Sequence, residues 1–431
     1  METLNHKNKK FHYGWVILML ATLVVVNAQG LARFGYTMIL PSMQEELGLS
    51  NTRAGVLATG NFCGYLLLAL IGGFLASKFS PRRVIAISLF IVGLTMILTA
   101  TSWSFGSALF WRTLTGMGSG GCFVPAMGVL TAWFAQKRRG MATGIAVGGS
   151  SVGLIITGPL VPWLLDKTGQ DGWRIAWVAL GCFGILSSIA IQLFLRDKPD
   201  EMRFTPIGAG KEPEPPSDTN PSEKVSSWRQ ICTSSEVRHL AFIYSTFGFS
   251  YIIFATFFAK YLQTESGFSK EAAGKLWGIV GWLSITCGLI WGGLSDILGR
   301  RQALLLVSFL QGCVYFTFAL WRTPNGALLA SLLFGLTAWS IPAIMAATCG
   351  DYLGARLVPA ALGFITLFFG IAQALGPVVA GLLADRFHTF AYSFLTAACV
   401  IWLGSADTFF LRKKGRFENE QTFSALSVSS A

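Results

Sequence analysis

Charged residues are scarce in this 431-residue sequence, and that scarcity limits what the chain can be. Only 13% of the residues are Asp, Glu, Lys or Arg, whereas 53% are hydrophobic. Soluble domains average roughly 25% charged residues. A chain with about half that fraction lacks the polar groups to cover a globular surface, so the composition excludes an ordinary soluble protein and indicates a polytopic membrane protein.

Acidic residues are especially few, which gives a formal net charge of +12. Such a charge could indicate a nucleic-acid partner, but the basic residues occur in short clusters between apolar runs. That distribution is typical of membrane topology and not of a phosphate-binding stripe. We therefore expect the lipid bilayer as a partner and no nucleic acid.

Motifs for metals, disulfides and nucleotides are also missing. The eight cysteines form no CxxC or Cys/His cluster, and all but Cys232 lie within apolar runs, so neither a disulfide framework nor a metal site is expected. GMGSGG (116–121) matches the dinucleotide pattern GxGxxG, but it lies inside an apolar run where small residues favour close helix packing. The sequence contains no Walker motif, and this absence argues against an ATP-driven pump. We predict no cofactor and no enzymatic activity.

What the sequence does contain is twelve apolar runs of membrane-spanning length, for which about 20 residues are needed. The first run follows Lys7, Lys9 and Lys10 and is interpreted as an uncleaved span, not a signal peptide. The spans are 14–40, 54–76, 84–101, 105–134, 141–163, 175–195, 240–261, 273–295, 302–321, 327–350, 361–384 and 391–411. The chain then divides into a six-helix half (1–195), a polar cytoplasmic linker (196–237), a second six-helix half (238–411) and a cytoplasmic tail (412–431).

The distribution of Lys and Arg predicts the orientation. With the N-terminus in the cytoplasm, inner segments carry 23 of these residues and outer segments carry 8, while Arg33 and Arg112 lie within spans. Cytoplasmic loops are the ones enriched in Lys and Arg. Both termini are therefore predicted to be cytoplasmic, in the inner membrane of a bacterium.

The two halves repeat each other at a constant shift in residue number. ELGLSNTRAGVL (46–57) aligns without gaps with ESGFSKEAAGKL (265–276). The same shift relates Gly73 to Gly292, Arg82 to Arg301, Gly116 to Gly335, Gly144 to Gly363 and Asp166 to Asp385. Loop residues that keep register indicate an internal duplication of the kind found in parallel-repeat transporters.

With these features the chain resembles the major facilitator superfamily. The family's loop signature, G-x-L-x-D-R-x-G-R-R/K, is matched by GGLSDILGRR (292–301), whereas GFLASKFSPRR (73–83) has Ser77 and Ser80 in place of Asp and Gly. The resemblance implies an all-α fold of twelve helices in two six-helix halves related by a pseudo-two-fold axis. It also implies a cytoplasmic latch on the outward-open state, stronger at Asp296 than at Ser77. The latch comprises Gly73, Ser77, Arg82, Arg83, Gly292, Asp296, Gly299, Arg300 and Arg301.

Arg33 and Arg112 are expected to be the functional centre. A charge in the bilayer core costs at least ~2.5–3.5 kcal/mol and usually serves function. If Pro41 ends the first span, Arg33 lies roughly 12 Å deep, and Arg112 lies about 10 Å below the same surface. The alternative is that each arginine snorkels outward or binds backbone carbonyls.

The resemblance places spans one, four, seven and ten around a central cavity. We predict a substrate site of Arg33, Arg112, Gln29, Tyr36, Tyr244, Tyr251 and Trp339, and helix bending at Gly158, Pro159, Gly376 and Pro377. Because spans one, two, four, five and eleven contain no Asp or Glu, the site suits an anion. YGW (13–15) is similar to the start of the monocarboxylate and oxalate/formate transporter families, although 276–293 lacks the span-eight arginine common in monocarboxylate carriers.

We therefore expect a monomeric secondary transporter of a small, monocarboxylate-like organic anion, coupled to a proton. One alternative is an efflux permease for an amphipathic compound, suggested by the glycine-rich stretch GGSSVGLIITGP (148–159). Another is a membrane sensor that does not transport.

Overall fold

The computed structural model describes residues 11–209, 231, 233–353 and 357–411, and these residues are almost entirely helical. Within them the β-type pairing comprises one isolated bridge, between Phe134 and Ile207. The predicted basic N-terminus, the tail 412–431 and most of the predicted linker lie outside the described residues.

The described part of the chain contains twelve long helices, and each coincides with one predicted span. We number them α1 (Gly14–Val25, Val26–Phe34 and Gly35–Glu46), α2 (Asn51–Lys78), α3 (Pro81–Ala100), α4 (Phe105–Trp133), α5 (Gln136–Val147 and Gly149–Thr168), α6 (Gly172–Phe194), α7 (Ser235–Thr264), α8 (Lys270–Leu298), α9 (Arg300–Leu320), α10 (Pro324–Thr337 and Ser340–Leu353), α11 (Val358–Phe387) and α12 (Ala391–Asp407).

Most of these helices are long and apolar enough to span a bilayer. Ten stretches of the described chain are long and apolar enough to cross a membrane by length and composition, and one of them, Gln136–Phe194, contains both α5 and α6. The stretch GMGSGG lowers the hydropathy of α4, which is not among the ten. The prediction of an all-α polytopic architecture is confirmed.

The first helix differs from the prediction in one respect. Pro41 does not end it: the helix continues through Pro41 to Glu46. A proline inside a membrane helix is tolerated when neighbouring groups pack around the interrupted backbone, and Met38, Ile39 and Leu40 are all buried here. Arg33 therefore lies about 20 Å along the axis from the Glu46 end of α1, instead of the roughly 12 Å expected for a helix that ended at Pro41.

The predicted repeat is visible in the geometry. Four helices of the second half (α8, α9, α10 and α12) begin at Lys270, Arg300, Pro324 and Ala391. The shift that relates Glu46 to Glu265 also relates these starts to those of α2, α3, α4 and α6 at Asn51, Pro81, Phe105 and Gly172. The caps repeat too, since Ser50 and Ser269 each accept a hydrogen bond from the backbone N–H three residues later. Gly48 and Gly267 both have positive φ, +58° and +70°.

The halves meet at only one end of the bundle. We call the face that carries Phe11 and Leu411 the terminal face, and the face that carries Gly48 and Gly267 the loop face. Towards the loop face, α2 packs on α11 and α5 packs on α8 so tightly that a Cβ added at Gly55 or Gly274 would collide with the carbonyl oxygen of Pro377 or Gly158.

The terminal-face ends of the same four helices stand apart. At Gly73, Gly144, Gly292 and Gly363, no heavy atom beyond the glycine's own helical surroundings lies within 4 Å of an added Cβ in the described structure. The halves thus touch at the loop face and are separated at the terminal face.

The two loop-face seams are capped differently. On the α2–α11 seam, the Asp385 carboxylate accepts hydrogen bonds from the backbone N–H of Asn51 (2.9 Å) and of Thr52 (2.8 Å) and from the Thr52 hydroxyl (2.6 Å). On the α5–α8 seam, the equivalent residue Asp166 lies beside Glu271. One seam therefore pairs an acid with donors, and the other pairs two acids.

Candidate functional site

The middle segment of α1 is a π-helix, and it carries Arg33. Val26–Phe34 forms a nine-residue π-helix between two α-helical segments. Such widened segments occur often at functional sites. Gly30 lies against Gly153 of α5, where an added Cβ at Gly30 would approach the Gly153 Cα to 2.6 Å. This close backbone approach fixes the π-helix against α5.

A cavity of about 210 Å³ lies between the halves beside this turn. It contains five of the seven residues predicted for the substrate site: Gln29, Arg33, Tyr244, Tyr251 and Trp339. Side chains that are distant in sequence, from α1, α7 and α10, are thus brought to one space.

Arg33 is the cation of this cavity. Its guanidinium carbon lies 4.6 Å from the centre of the Phe62 ring and 4.7 Å from that of Tyr65. Its Nε and Nη2 atoms are buried and have no partner with hydrogen-bond geometry among the described residues, although the Tyr251 hydroxyl lies beside the guanidinium. Nε and one Nη form the fork to which a carboxylate or phosphate binds in bidentate fashion, so the donors suited to an oxyanion are the ones left unpaired.

The residues that line the cavity do not neutralise this charge. None of those that the structure describes is Asp, Glu or His, and the single basic side chain among them is Arg33. The neighbouring aromatic faces supply some cation–π stabilisation. A buried cation without a counter-charge favours an anionic ligand in the cavity.

Arg112 and Tyr36 lie outside this cavity, although both were predicted to bind substrate. Arg112 is 1% exposed, its Nη1 donates to the carbonyl oxygen of Ala32 (2.7 Å), and its guanidinium carbon lies 4.8 Å from the Tyr36 ring and 4.9 Å from the Trp177 ring. Tyr36 donates its hydroxyl to Ala54 O (2.9 Å). They share with Arg33 a void of about 10 Å³, too small for a solute. Arg112 thus supports the π-helix from behind.

Stacked aromatic rings form one wall of the cavity. The Tyr244 and Phe369 rings are 4.4 Å apart and nearly parallel, and those of Phe247 and Tyr251 are 4.8 Å apart. Trp339 meets Tyr251 edge-on at 5.9 Å. This wall joins α7 and α10 to α11.

Sequence reasoning missed several lining residues: Tyr65, Phe123, Phe247, Phe369 and Gln373. Phe247 could have been found, because it lies three residues after Tyr244 on the same helical face. Gln373, which donates its amide to the Tyr251 hydroxyl, and Phe369 belong to α11, whose rotation about its axis depends on packing that the sequence does not reveal.

The predicted latch residues of the second half lie at the terminal face. Arg300 binds Asp296 (Nη2–Oδ1 2.6 Å) and Asp351 (Nε–Oδ2 2.9 Å), and all three line a depression of about 430 Å³ together with Gly299 and Arg301. These contacts lie within the second half. The latch between halves remains a prediction.

The first-half latch residues have a different arrangement. The Ser77 hydroxyl donates to Phe74 O in its own helix. Asp197, which follows α6, accepts from the Arg82 backbone N–H (2.7 Å) and from the Ser80 hydroxyl. A carboxylate therefore does cap the start of α3, but it comes from elsewhere in the chain.

The residues predicted to bend helices lie inside helices and at close contacts. Pro159 is inside α5 and Pro377 is inside α11. Cβ atoms added at Gly158 and Gly376 would lie 2.6 Å from the carbonyl oxygens of Gly274 and Phe249. These glycines permit close helix approach, and their role in bending stays a prediction.

Known proteins are similar to this chain over most of its length. The family model of the Major Facilitator Superfamily matches residues 22–358. A probable sulfoacetate transporter of Cupriavidus necator is 26% identical, over 88% of this chain and 89% of that protein. A hexuronate transporter of Bacillus subtilis (25%, covering 89% and 90%) and monocarboxylate transporter 12 of Xenopus laevis (25%, covering 91% and 88%) are also similar.

A solved structure shares the fold. The crystal structure of a bacterial homologue of the human lysosomal transporter Spinster, in an inward-facing and unoccupied conformation, superposes with a TM-score of 0.77. Its sequence is 18% identical, and the match covers 94% of this chain and 99% of that one.

Proposed function

Because this chain belongs to the Major Facilitator Superfamily and is a multi-pass membrane transporter, not an enzyme, we propose that it carries a small organic anion by alternating access, coupled to a proton. The observation that carries this proposal is Arg33, whose Nε and Nη2 are buried without partners among the described residues, beside a cavity between the halves. An oxyanion would satisfy both donors and neutralise the charge.

The solutes for which the similar proteins are named support an anionic solute here. Sulfoacetate, hexuronates and monocarboxylates are all organic anions. They differ in size and polarity but share at least one acidic group. A cationic binding residue is the feature that suits such a range of solutes.

The contacts between the halves support alternating access. The helices α2, α5, α8 and α11 touch at the loop face and stand apart at the terminal face. With the orientation that the 23-to-8 charge distribution predicts, the terminal face is cytoplasmic and this state is open inward. The reverse state would close the terminal face and open the loop face.

Proton coupling does not need a carboxylate relay in this site. None of the described cavity-lining side chains is an acid or a histidine. We propose that the proton travels with the transported acid, and that Arg33 binds the deprotonated form.

The test combines binding and counterflow. A thermal-shift panel of acetate, pyruvate, benzoate, sulfoacetate and glucuronate against purified protein identifies a ligand, since binding to the native state raises apparent stability. Counterflow of that labelled anion in proteoliposomes then distinguishes a transporter from a non-transporting sensor. We expect Arg33→Gln to abolish binding and counterflow.

The matched control is Arg53→Gln, because Arg53 is exposed at the start of α2 and contacts the Phe105 ring away from the cavity. It should retain wild-type uptake. Wild-type affinity in correctly folded Arg33→Gln protein would refute the proposal.

A further inference from the structure

The cavity beside Arg33 has one charged end and an aromatic body. Eight of its lining residues are aromatic: Phe34, Tyr65, Phe123, Tyr244, Phe247, Tyr251, Trp339 and Phe369. Several of these rings are nearly parallel, as Tyr251 and Phe369 are, with an angle of 3° between their planes. These rings stack on one another, and the side of the wall that lines the cavity offers aromatic surface against which another ring can pack in the edge-to-face or offset geometry that aromatic groups prefer.

We propose that the solute is a monoanionic aryl acid, such as an arylcarboxylate, whose acidic group binds Arg33 and whose ring lies against the wall formed by Tyr244, Phe247, Tyr251 and Phe369. This inference rests on the proposed function and specifies its substrate class. It differs from the hydroxylated sugar acids and the two-charge acids that similar proteins are named for.

Charge limits the solute to one acidic group. Arg33 is the single cation among the described lining residues. Arg112 is sealed behind it, with its Nη1 bound to Ala32 O and two rings beside it. A second carboxylate in the cavity would be desolvated without a counter-charge, which costs far more than an apolar group in the same place.

Volume limits the body to about one ring. An engineered apolar cavity of about 150 Å³ is known to bind benzene. The cavity of about 210 Å³ leaves room for a ring and a carboxylate. Pockets for drug-sized ligands begin at roughly 300 Å³, so the space beside Arg33 matches one ring better than several.

Two of the polar groups near the wall are already engaged. The Gln373 amide donates to the Tyr251 hydroxyl, and the Trp339 indole N–H donates to the Ser151 hydroxyl (3.1 Å). A sugar acid needs a partner for each of its hydroxyls, and a polar group buried without one is unfavourable. An aromatic body makes no such demand.

The experiment compares ligands that differ in one property each. Affinities of purified wild-type protein are measured for benzoate, cyclohexanecarboxylate, phthalate and glucuronate. Benzoate and cyclohexanecarboxylate share charge and approximate size, so their ratio reports ring stacking. We expect benzoate to bind about 2- to 10-fold more tightly than cyclohexanecarboxylate, and to bind over ~10-fold more tightly than phthalate or glucuronate because of the unpaired groups.

The variant Phe369→Leu tests the wall itself. It should remove most of the benzoate preference and change cyclohexanecarboxylate affinity by less than about 2-fold, because only the stacking surface is lost. Phe368→Leu is the matched control: the neighbouring residue on α11 is 43% exposed and does not line the cavity. It should keep the wild-type preference.

The outcomes separate this inference from the proposed function. If glucuronate or phthalate binds as tightly as benzoate, or if Phe369→Leu keeps the full preference, the aryl-acid inference is overturned while anion transport stands. If the wild-type protein binds no anion of either panel, the proposed function fails as well.

Discussion

At the scale of single residues, two arginines buried in the same membrane region have opposite surroundings. Arg112 has a carbonyl partner and two rings around it, whereas Arg33 keeps two donors unpaired among the described residues, beside a cavity. Arg112 therefore stabilises the packing of α1, whereas Arg33 is available to a ligand. Their separate environments make the two roles distinguishable by mutation.

Replacing each arginine with lysine should separate the roles. Arg33→Lys keeps the charge but loses the bidentate fork, so uptake should fall about tenfold or more with little change in melting temperature. Arg112→Lys should lower stability by about 1–3 kcal/mol, because the hydrogen bond to Ala32 O loses its geometry. Uptake and thermal unfolding of both purified variants provide the measurement.

The assignment would be reversed if Arg112→Lys lost binding at unchanged stability. It would also fail if Arg33→Lys unfolded the protein while the surviving fraction bound normally. Arg53→Lys, on the exposed start of α2, controls for the general effect of the substitution.

Arg33, Tyr244 and Tyr251 of the cavity were predicted from the sequence, but Tyr65 and the boundaries of the cavity were not. Arg33 and Tyr251 stand out because polar groups in apolar helices need a reason to be there. Arg112 does lie at the level of Arg33, since it binds Ala32 O, but it lies on the far side of the π-helix from the cavity. Which residues line a cavity also depends on how each helix is rotated, and uniformly apolar helices such as α11 give little periodic signal for that rotation.

At the scale of helices, small residues mark where the halves can approach. At the loop face, Gly55 and Gly274 lie directly against the backbone of the opposite half. At the terminal face, an added Cβ at Gly144 of α5 or Gly363 of α11 would have no neighbour within 4 Å in the part of the chain that the structure describes. Gly144 and Gly363 are equivalent positions of the internal repeat. We infer that both are kept small for the state in which the terminal face closes.

Gly144→Val and Gly363→Val should therefore hold the transporter in the present state. A Cβ at either position meets no atom within 4 Å among the described residues, and valine is a better helix former than glycine by about 0.3 kcal/mol. Stability should stay equal or rise, whereas exchange between the two states should be suppressed. Uptake in proteoliposomes, together with cysteine labelling from each side, measures this.

Gly128→Val of α4 is the control, because Gly128 is exposed, has similar free space and lies outside the four seam helices. It should transport normally. Normal turnover in both Gly144→Val and Gly363→Val would rule out terminal-face closure along these helices.

At the scale of the whole molecule, the twelve-helix architecture was predictable because the bilayer imposes a length on each apolar run. The shift between the two repeats recurs in helix starts, in serine caps and in left-handed glycines. The π-helix of α1 was not predictable, because a local change of the hydrogen-bond pattern within a helix leaves no mark in hydrophobicity. The boundaries of the two halves and of the linker stay predictions.

The charge distribution makes a prediction about the complete chain. A reporter fused after Ala431, or inserted within 211–224, should report a cytoplasmic location, because inner segments hold the excess of Lys and Arg. Paired reporters active on opposite sides of the membrane provide the measurement. An external signal at either position in a functional protein would show that the orientation is inverted or the span count is odd.

The unequal seams of the loop face have a mechanical consequence. Asp385 draws three hydrogen bonds across the α2–α11 seam, whereas Asp166 and Glu271 place two acids side by side on the α5–α8 seam. The acid pair is exposed and is held by a hydrogen bond that needs a shared proton, whereas the ionised Asp385 carboxylate keeps its three donors. Spin labels on each seam should therefore separate further at α5–α8 than at α2–α11 in the reverse state. Two halves built from one repeated unit would then separate unequally, with the α2–α11 seam acting as the hinge and the α5–α8 seam opening further.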